Sequence, residues 1–354
     1  MSQIKFILET IISTLLYYSG FNWLYEKIMR NGRNIPIIFY HEIGSNDKDG
    51  SAKFSVSVEH FEKQIKWLTK RFNIVTIDEL IKHITGEIKL PGKVIAVTFD
   101  GGYVGNYQHA FPLLKKYNIP ATIYIITDPV GGNLSNSLKL LYLTLLTQKD
   151  QFKLTYNGKE HEFEIRTRDQ KRLAKEIILK HMRLIDSKKQ DNLLKQISQS
   201  LNVELSGLAQ KLFLSWDQIY EMNNNPLITI ESHSLTHPRL TEVALEEARR
   251  EIVESKVNIE SKLGEKITSF CYPDGFFNEE IIDLVKEAGY SSALAVITSG
   301  ILNDLNKIGD NVFELRRIHL PDRFYKPLIS TEISGIMRTL KKFGKYFGLR
   351  LIKR

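Results

Sequence analysis

Three short segments of the sequence carry residues that could act as acids, bases or metal ligands. Asp100 follows an apolar run at residues 94–99 and is itself followed by two glycines. His233 and His237 lie four residues apart, directly after another apolar run, and neutral imidazole is a common side-chain metal ligand. Residues 272–275, Tyr-Pro-Asp-Gly, have good turn chemistry, because proline fixes φ and glycine permits positive φ. A carboxylate near paired imidazoles would suit a metal site.

Each segment also has an ordinary structural interpretation. Asp100 could simply cap the helix that follows it, as aspartate often does. Residues 272–275 could form a plain turn between a strand and a helix. A single surface histidine needs no function, although two of the nine histidines at this spacing beside a strand end are harder to dismiss. The segments favour a functional site only in combination.

The elements that must position these residues alternate between strands and helices. Short apolar runs at residues 35–40, 94–99 and 121–126 predict buried strands, and the stretches between them show helical spacing. The same alternation returns from residue 227 and ends near residue 320. This pattern predicts a parallel sheet covered on both faces. Such sheets carry their sites at the carboxyl ends of the strands, where all three segments lie.

Residues 133–213 interrupt that alternation. Two segments of alternating apolar and polar residues flank Asn157 and Gly158, which predicts a hairpin. The residues after the hairpin carry apolar side chains at helical spacing. We therefore predict a mostly helical insertion within the barrel domain.

Composition narrows the class of protein. A hydrophobic content of 42% and a charged content of 25% are ordinary for a soluble globular chain. The single cysteine, Cys271, excludes an internal disulfide. The net charge of +8 suits anionic partners, and the alternative is that a lysine-rich composition simply keeps the protein soluble. Nucleic-acid binding has little support, because no recognition motif accompanies the basic residues.

The two ends of the chain differ from the middle. Within the N-terminal segment 1–34, the stretch between Glu9 and Glu26 is uncharged, but it is short and polar for a spanning helix and has no signal-peptide cleavage site. We predict an amphipathic helix, either packed on the domain or lying in a membrane interface. Residues 326–354 predict a basic amphipathic tail, which either binds a membrane surface or docks on the barrel. We expect a cytoplasmic or peripheral membrane protein. The apolar stripe of the tail comprises Leu340, Phe343, Phe347 and Leu351.

Taken together, the three segments resemble the motifs of the polysaccharide deacetylases, carbohydrate esterase family 4, and of its nodulation-type deacetylase domain. The family's TFDDG motif is similar to residues 98–102, its H-[ST]-x-x-H motif to residues 233–237, and its YPxG motif to residues 272–275. Tyr40 and His41, together with residues 54–56, 119–122 and 288–290, are also similar to one branch. The resemblance indicates a deacetylase domain over residues 35–325.

The resemblance implies an α/β fold, a distorted (β/α) barrel of about seven strands with a divalent metal at its open end. Zinc is the first choice. It also implies a hydrolase that removes N-acetyl groups from the amino sugars of a polysaccharide or oligosaccharide. The implied residues are Asp100 as base, His41 as general acid, His233 and His237 as metal ligands, and Tyr103, Tyr272, Pro273 and Asp274 as substrate-binding residues.

The sequence departs from the family pattern at two positions. Gly101 replaces the family's second aspartate, which is the third metal ligand, and catalytic zinc sites normally use three protein ligands. Cys271 stands where much of the family has an arginine. A glycan-binding member with impaired catalysis, acting in polysaccharide biosynthesis, is therefore the alternative.

A carboxylate elsewhere could replace the missing ligand. Glu231 lies two residues before His233, and residues two apart on a strand face the same side. We therefore hypothesise that Glu231 completes the metal site. The alternatives are that it forms a buried ion pair or points to solvent. Asp274 is a weaker candidate for the same role.

Overall fold

The computed structural model describes residues 3–29, 35–44, 55–296 and 305–346. Its strands are β1 (Ile37–Tyr40), β2 (Glu42–Ile43), β3 (Ser55–Val56), β4 (Asn73–Ile74), β5 (Val94–Gly101), β6 (Ala121–Ile125), β7 (Gln151–Tyr156), β8 (Lys159–Glu164), β9 (Ile228–Ser232), β10 (Ser269–Cys271), β11 (Ser292–Val296) and β12 (Leu315–His319). Its α-helices are α1 (Gln3–Tyr18), α2 (Phe21–Met29), α3 (Val58–Thr69), α4 (Ile77–Thr85), α5 (Phe111–Tyr117), α6 (Thr127–Val130), α7 (Asn136–Leu146), α8 (Arg168–Met182), α9 (Ser187–Leu201), α10 (Leu208–Leu212), α11 (Trp216–Asn223), α12 (Leu245–Leu263), α13 (Glu279–Glu287), α14 (Lys326–Ser334) and α15 (Ile336–Tyr346).

Seven parallel strands form a closed barrel, which confirms the predicted α/β barrel. Their order is β1-β12-β11-β10-β9-β6-β5, and β1 also pairs with β5, so that the sheet closes on itself. The short strand β4 pairs with β5 outside this ring. Closure removes the exposed edges that an open sheet would present. It also brings the carboxyl ends of all seven strands to one open end, which we call the mouth.

The apolar runs of the sequence explain the barrel. Alternate strand residues belong to two different apolar clusters, one represented by Ala96, Tyr124 and Leu294, and the other by Val97 and Ile123. The second cluster also contains buried residues of the surrounding helices α3, α12 and α13. Strands buried on both faces need apolar side chains at nearly every position, as the sequence has.

The segment from α7 to α10 is the expected insertion, and it contains four helices and the β7–β8 hairpin. Asn157 and Gly158 form the hairpin turn with φ values of 51° and 70°, the left-handed pair that a two-residue turn requires. Part of this segment has an apolar cluster of its own. That cluster includes Phe152, Phe163 and Ile197.

The N-terminal segment forms two helices rather than the single helix predicted. The break between α1 and α2 falls at Ser19 and Gly20, where Gly20 has a φ of 78°. Both helices pack on α14, which follows the last barrel strand. Within the described ranges, no helix combines the length and hydropathy needed to cross a membrane. Phe347 and Leu351 of the predicted tail lie outside the described residues.

Candidate active site

Four strands of the barrel carry polar side chains to the mouth. Asp100 lies near the end of β5, His41 follows β1, His233 follows β9 and His319 ends β12. Asp100 and His233 are buried, His41 is half-buried and His319 is exposed. The structure therefore brings the expected base, the expected acid and one expected metal ligand to the same end of the barrel. His319 was not identified from the sequence.

Asp100 forms a bidentate ion pair with Arg317. The guanidinium Nη1 and Nη2 atoms donate to the two carboxylate oxygens over 2.6 and 2.7 Å, and Arg317 is fully buried. Nη1 also donates to the Thr98 hydroxyl over 3.2 Å. Burial raises the pKa of Asp100, but the charge and the hydrogen bonds of Arg317 outweigh burial and leave the pKa at about 2. Asp100 is therefore ionised and held at both oxygens.

Arg317 also compensates for one departure from the family pattern. Its Nη2 atom lies 2.9 Å from the Cys271 sulfur, at the residue that replaces the family arginine. The arginine next to Asp100 thus comes from β12. One signal for it is present in the sequence, since Leu315, Arg317 and His319 alternate along the strand and share a face.

The histidine pair is held by backbone contacts. His233 Nδ1 lies 2.9 Å from the Cys271 carbonyl oxygen, and the rings of His233 and His237 contact each other with centroids 4.7 Å apart. Burial lowers the pKa of His233 to about 3 and also lowers the pKa of His237, although the charge of Asp100 opposes both shifts. Both imidazoles are therefore neutral at physiological pH.

A buried glutamate on α12 fixes the loop that carries His237. Glu251 Oε2 accepts hydrogen bonds from the Leu235 and Thr236 amides over 3.0 and 2.8 Å, and Oε1 accepts from the Thr236 hydroxyl over 2.6 Å. His237 itself has a φ of 63°, a strained conformation for a residue with a side chain. The sequence did not indicate this role, because Glu251 is one of several glutamates in α12 and nothing in its type distinguishes it from the exposed ones.

His41 and His319 form a second imidazole pair at the mouth. Their ring centroids are 6.2 Å apart. Burial lowers the pKa of His41 to about 4, against the opposing charge of Asp100, and desolvation of the imidazole by the surrounding mouth also lowers the pKa of His319. The mouth therefore presents neutral rings that can donate and accept hydrogen bonds.

The position of the missing aspartate is closed to a side chain. Gly101 has a φ of +97°, and a Cβ atom there would lie 2.6 Å from Cε2 of Tyr103. The buried Tyr103 ring stacks on Phe213 of the insertion, with centroids 5.0 Å apart. Tyr103 was expected to bind substrate, whereas its ring occupies the space next to Gly101.

Glu231 does not meet the expectation that it completes the metal site. It is buried on β9, but its carboxylate accepts hydrogen bonds from the Thr268 and Ser269 amides over 3.0 and 2.8 Å, and from the Thr268 hydroxyl over 3.3 Å. These partners lie at the start of β10, the end opposite the mouth. Residues two apart on a strand share a face but are separated along the strand, so Glu231 lies one layer deeper in the barrel than His233.

The turn after β10 contributes one exposed carboxylate to the mouth. Tyr272 is buried and its hydroxyl donates to the Phe313 carbonyl over 3.0 Å, and Pro273 is buried. Asp274 is exposed, with a φ of 56°, and its Oδ2 accepts from Arg239 Nε over 2.9 Å. The charge of Asp274 also raises the pKa of His237 against burial. Of these three expected substrate-binding residues, Asp274 is the one whose side chain is exposed.

The donor atoms near Asp100 do not fit a catalytic divalent ion as they are arranged. Asp100, His233 and Cys271 bring possible ligand atoms within 4.8 Å of one another. Arg317 binds both oxygens of Asp100 and the sulfur of Cys271, so a cation there would meet the guanidinium charge. Burial also raises the pKa of Cys271 well above its ordinary value, which keeps the thiol protonated. Among the described residues, no group of three potential metal ligands contains both His233 and His237.

Comparison with known proteins agrees with the resemblance. The family model for polysaccharide deacetylase matches residues 87–293. The YxkH protein of Bacillus subtilis (strain 168), assigned by name to the polysaccharide deacetylases, is 23% identical over 257 residues, which cover 72% of this chain and 62% of that protein. A poly-beta-1,6-N-acetyl-D-glucosamine N-deacetylase of Staphylococcus aureus (strain MRSA252) is 35% identical over 123 residues, 34% of this chain and 40% of that enzyme. The matched regions thus span less than two thirds of either relative.

Solved structures share the barrel. IcaB from Ammonifex degensii superposes with a TM-score of 0.55 at 19% identity, covering 85% of this chain and 97% of that one. The Streptococcus pyogenes deacetylase PplD superposes with a TM-score of 0.55 at 17% identity, covering 84% and 98%. With the family match extending over more than half of its residues, this chain belongs to the polysaccharide deacetylase family.

Proposed function

We propose that this chain binds a polysaccharide of N-acetylated amino sugars at the mouth of its barrel, without completing the metal site that hydrolysis would use. The proposal rests on what β5 presents at the mouth: the expected third metal ligand is absent, and the expected base is already bound by an arginine. Gly101 supplies no carboxylate, and Arg317 holds both oxygens of Asp100. The sugar class follows from the family and from the relative named for poly-β-1,6-N-acetylglucosamine.

The chemistry of the mouth suits an uncharged sugar. Neutral imidazoles at His41, His237 and His319 can each donate and accept hydrogen bonds, as sugar hydroxyl and acetamide groups require. The exposed carboxylate of Asp274 can accept from hydroxyl groups. Arg239 holds that carboxylate in place and stacks over Phe276 at 4.6 Å.

Glycan binding is tested by titrating the protein with β-1,6-linked N-acetylglucosamine oligomers and with the same oligomers after deacetylation. We expect the acetylated oligomers to bind at least about tenfold more tightly, because only they offer the acetamide. His41→Ala and Asp274→Ala should weaken binding, whereas Lys159→Ala, on an exposed hairpin position, should not. Equal affinity for the two oligomers, or no binding, would overturn the proposal.

The second candidate is a de-N-acetylase, and the neutral histidine pair favours it. His233 Nδ1 bonds the Cys271 carbonyl, which leaves Nε2 available to a metal, as in other histidine ligands. A metal there would rest on His233 and His237 without a third ligand from Gly101. When bound, such an ion would polarise an amide carbonyl.

Acetate release with and without added zinc separates the two candidates. We expect no release from the parent chain. If zinc stimulates acetate release and His233→Ala abolishes that release, the chain is a deacetylase, and the proposal of glycan binding without hydrolysis is overturned. A Gly101→Asp, Tyr103→Ala double variant should bind more zinc than the parent, because it adds the ligand and opens the space beside it.

A further inference from the structure

The N-terminal helices α1 and α2 bury polar side chains and expose apolar ones. Their polar residues Ser13 and Asn22 are 0% and 3% exposed, whereas Leu15, Trp23 and Ile28 are 65%, 60% and 64% exposed. A surface helix of a soluble domain normally buries its apolar face and exposes its polar face. The packing of these two helices is the reverse, and it leaves many of their large apolar side chains exposed.

Hydrogen bonds between side chains hold these helices on α14. The hydroxyls of Ser13 and Thr331 lie 3.0 Å apart, and both are buried. Asn22 donates to the Ser330 hydroxyl over 2.9 Å and accepts from the Ser334 hydroxyl over 2.7 Å. Small hydroxyl residues and a bridging amide are the contacts that join helices in a lipid environment, where apolar burial gives no driving force.

The exposed apolar side chains are concentrated in this one part of the molecule. Nine of the twenty large hydrophobic residues that are exposed in the described ranges fall between residues 7 and 28. Soluble proteins rarely leave apolar residues clustered on the surface unless a partner covers them. The nine residues, which we call the terminal apolar face, are Ile7, Leu8, Ile11, Leu15, Tyr18, Phe21, Trp23, Leu24 and Ile28.

Three basic side chains contact residues of α1 and α2 beside the terminal apolar face. Lys27 lies over the Trp23 ring at 5.2 Å, and Arg71 bonds the Tyr17 hydroxyl over 3.2 Å. The neighbouring helix α15, with the sequence IMRTLKKFGKY, is basic, and its Lys341 pairs with Glu9 over 3.0 Å. A second copy of the chain on this face would bring like charges together. An anionic lipid surface would complement them.

We propose that α1, α2 and α15 form a membrane-docking surface, with the terminal apolar face in the interfacial layer of an anionic lipid bilayer. The 16 residues of α1 extend about 24 Å, so the helix suits a position in the plane of the interface rather than across the bilayer. Tyr18 and Trp23 have the amphipathic rings that favour this depth. This proposal is independent of whether the barrel hydrolyses its glycan.

Flotation of the full chain with vesicles tests the proposal. We expect binding to vesicles of phosphatidylcholine with phosphatidylglycerol, and weaker binding to phosphatidylcholine alone. The triple variant Leu15→Ser, Trp23→Ser, Ile28→Ser should lower the vesicle partition constant by at least about tenfold, because it removes buried apolar area from the bound state. The triple variant Leu173→Ser, Leu184→Ser, Val257→Ser changes equally exposed apolar residues elsewhere and should bind as the parent does.

Three outcomes would overturn the proposal. The parent chain could ignore anionic vesicles, or both triple variants could lose binding equally. Sedimentation could also show a dimer that only the first triple variant dissociates, with no vesicle binding, which would assign the face to a second copy. All six changed residues are exposed, so circular dichroism and thermal melting should match the parent and exclude unfolding.

Discussion

At the scale of single residues, Asp100 and Arg317 are the charges that matter most at the mouth. Both are buried, and their contact has the planar two-bond geometry that arginine forms with carboxylates. Removing one member of such a pair leaves an uncompensated charge in the interior. The pair therefore fixes the Asp100 carboxylate and at the same time limits what that carboxylate can bind.

We expect Arg317→Met to destabilise the fold by about 3–5 kcal/mol, because Asp100 would stay buried without its partner. The double variant Asp100→Leu, Arg317→Met removes both charges and should recover most of that loss. Urea unfolding measures each free energy. As a control, Lys153→Ala breaks the exposed pair with Glu160 and should cost less than about 1 kcal/mol. A single variant as stable as the parent would contradict the argument.

Glu231 gives the stability a pH dependence of its own. Burial raises its pKa to about 7 from an ordinary 4.5, although hydrogen bonds from the Ser269 and Thr268 amides oppose the shift. The folded chain therefore binds the Glu231 proton more tightly than the unfolded chain. The resulting stabilisation is complete below pH 4.5 and is lost as the pH rises through 7. The free energy of unfolding of the parent should therefore fall by about 3 kcal/mol over that range, and Glu231→Gln should not show this fall. Unfolding curves for both proteins from pH 4.5 to 8 test this, and parallel curves would contradict it.

At the scale of elements, α12 fixes the conformation of the loop that connects β9 to it. Glu251 is fully buried and binds two amides and one hydroxyl of that loop. His237 depends on this loop for its position. The helix that directly follows this loop in the sequence therefore sets the geometry of the histidine pair.

We expect Glu251→Ala to destabilise the chain by about 2–3 kcal/mol, because it leaves two buried amides without acceptors. Glu251→Gln keeps an oxygen acceptor for the amides and a donor for the Thr236 hydroxyl, so it should recover part of the loss. Thermal unfolding measures stability, and the NMR signals of the His237 ring report its position. Unchanged His237 signals in the alanine variant would show that the loop does not depend on Glu251.

The sequence predicted elements and their order well, because strand and helix periodicity are local properties. Residues 94–99 and 121–126 read as buried strands, and both are barrel strands in the structure. Contacts between distant elements were not predictable in the same way. Arg317 lies 217 residues after Asp100, and only the pairing of β1 with both β5 and β12 brings them together. Glu231 shows a second limit. Its spacing from His233 predicted that both side chains lie on the same face of the strand, but it did not predict how far from the mouth the Glu231 carboxylate lies.

At the scale of the whole molecule, the barrel closes through its last strand. β12 supplies Arg317 and His319 to the mouth and also pairs with β1, the first strand. Without it, β1 and β11 would have unpaired edges, and Asp100 would lose its partner. The fold is therefore complete only when nearly the entire chain is present.

We expect a chain ending at residue 310 to lose cooperative unfolding, because it lacks β12 and α14. A chain ending at residue 346 keeps every described element and should unfold as the parent does. Circular dichroism during heating and limited proteolysis distinguish the two. A cooperative transition in the shorter chain would show that the remaining strands fold without closure.

The hairpin and the helices α8 and α9 surround an apolar cluster that contains no residue of the seven barrel strands. Substitutions among these residues would change packing within the insertion and leave the register of the barrel strands unchanged. Relatives could therefore lengthen, shorten or exchange this insertion while the barrel and the residues at its mouth stay unchanged.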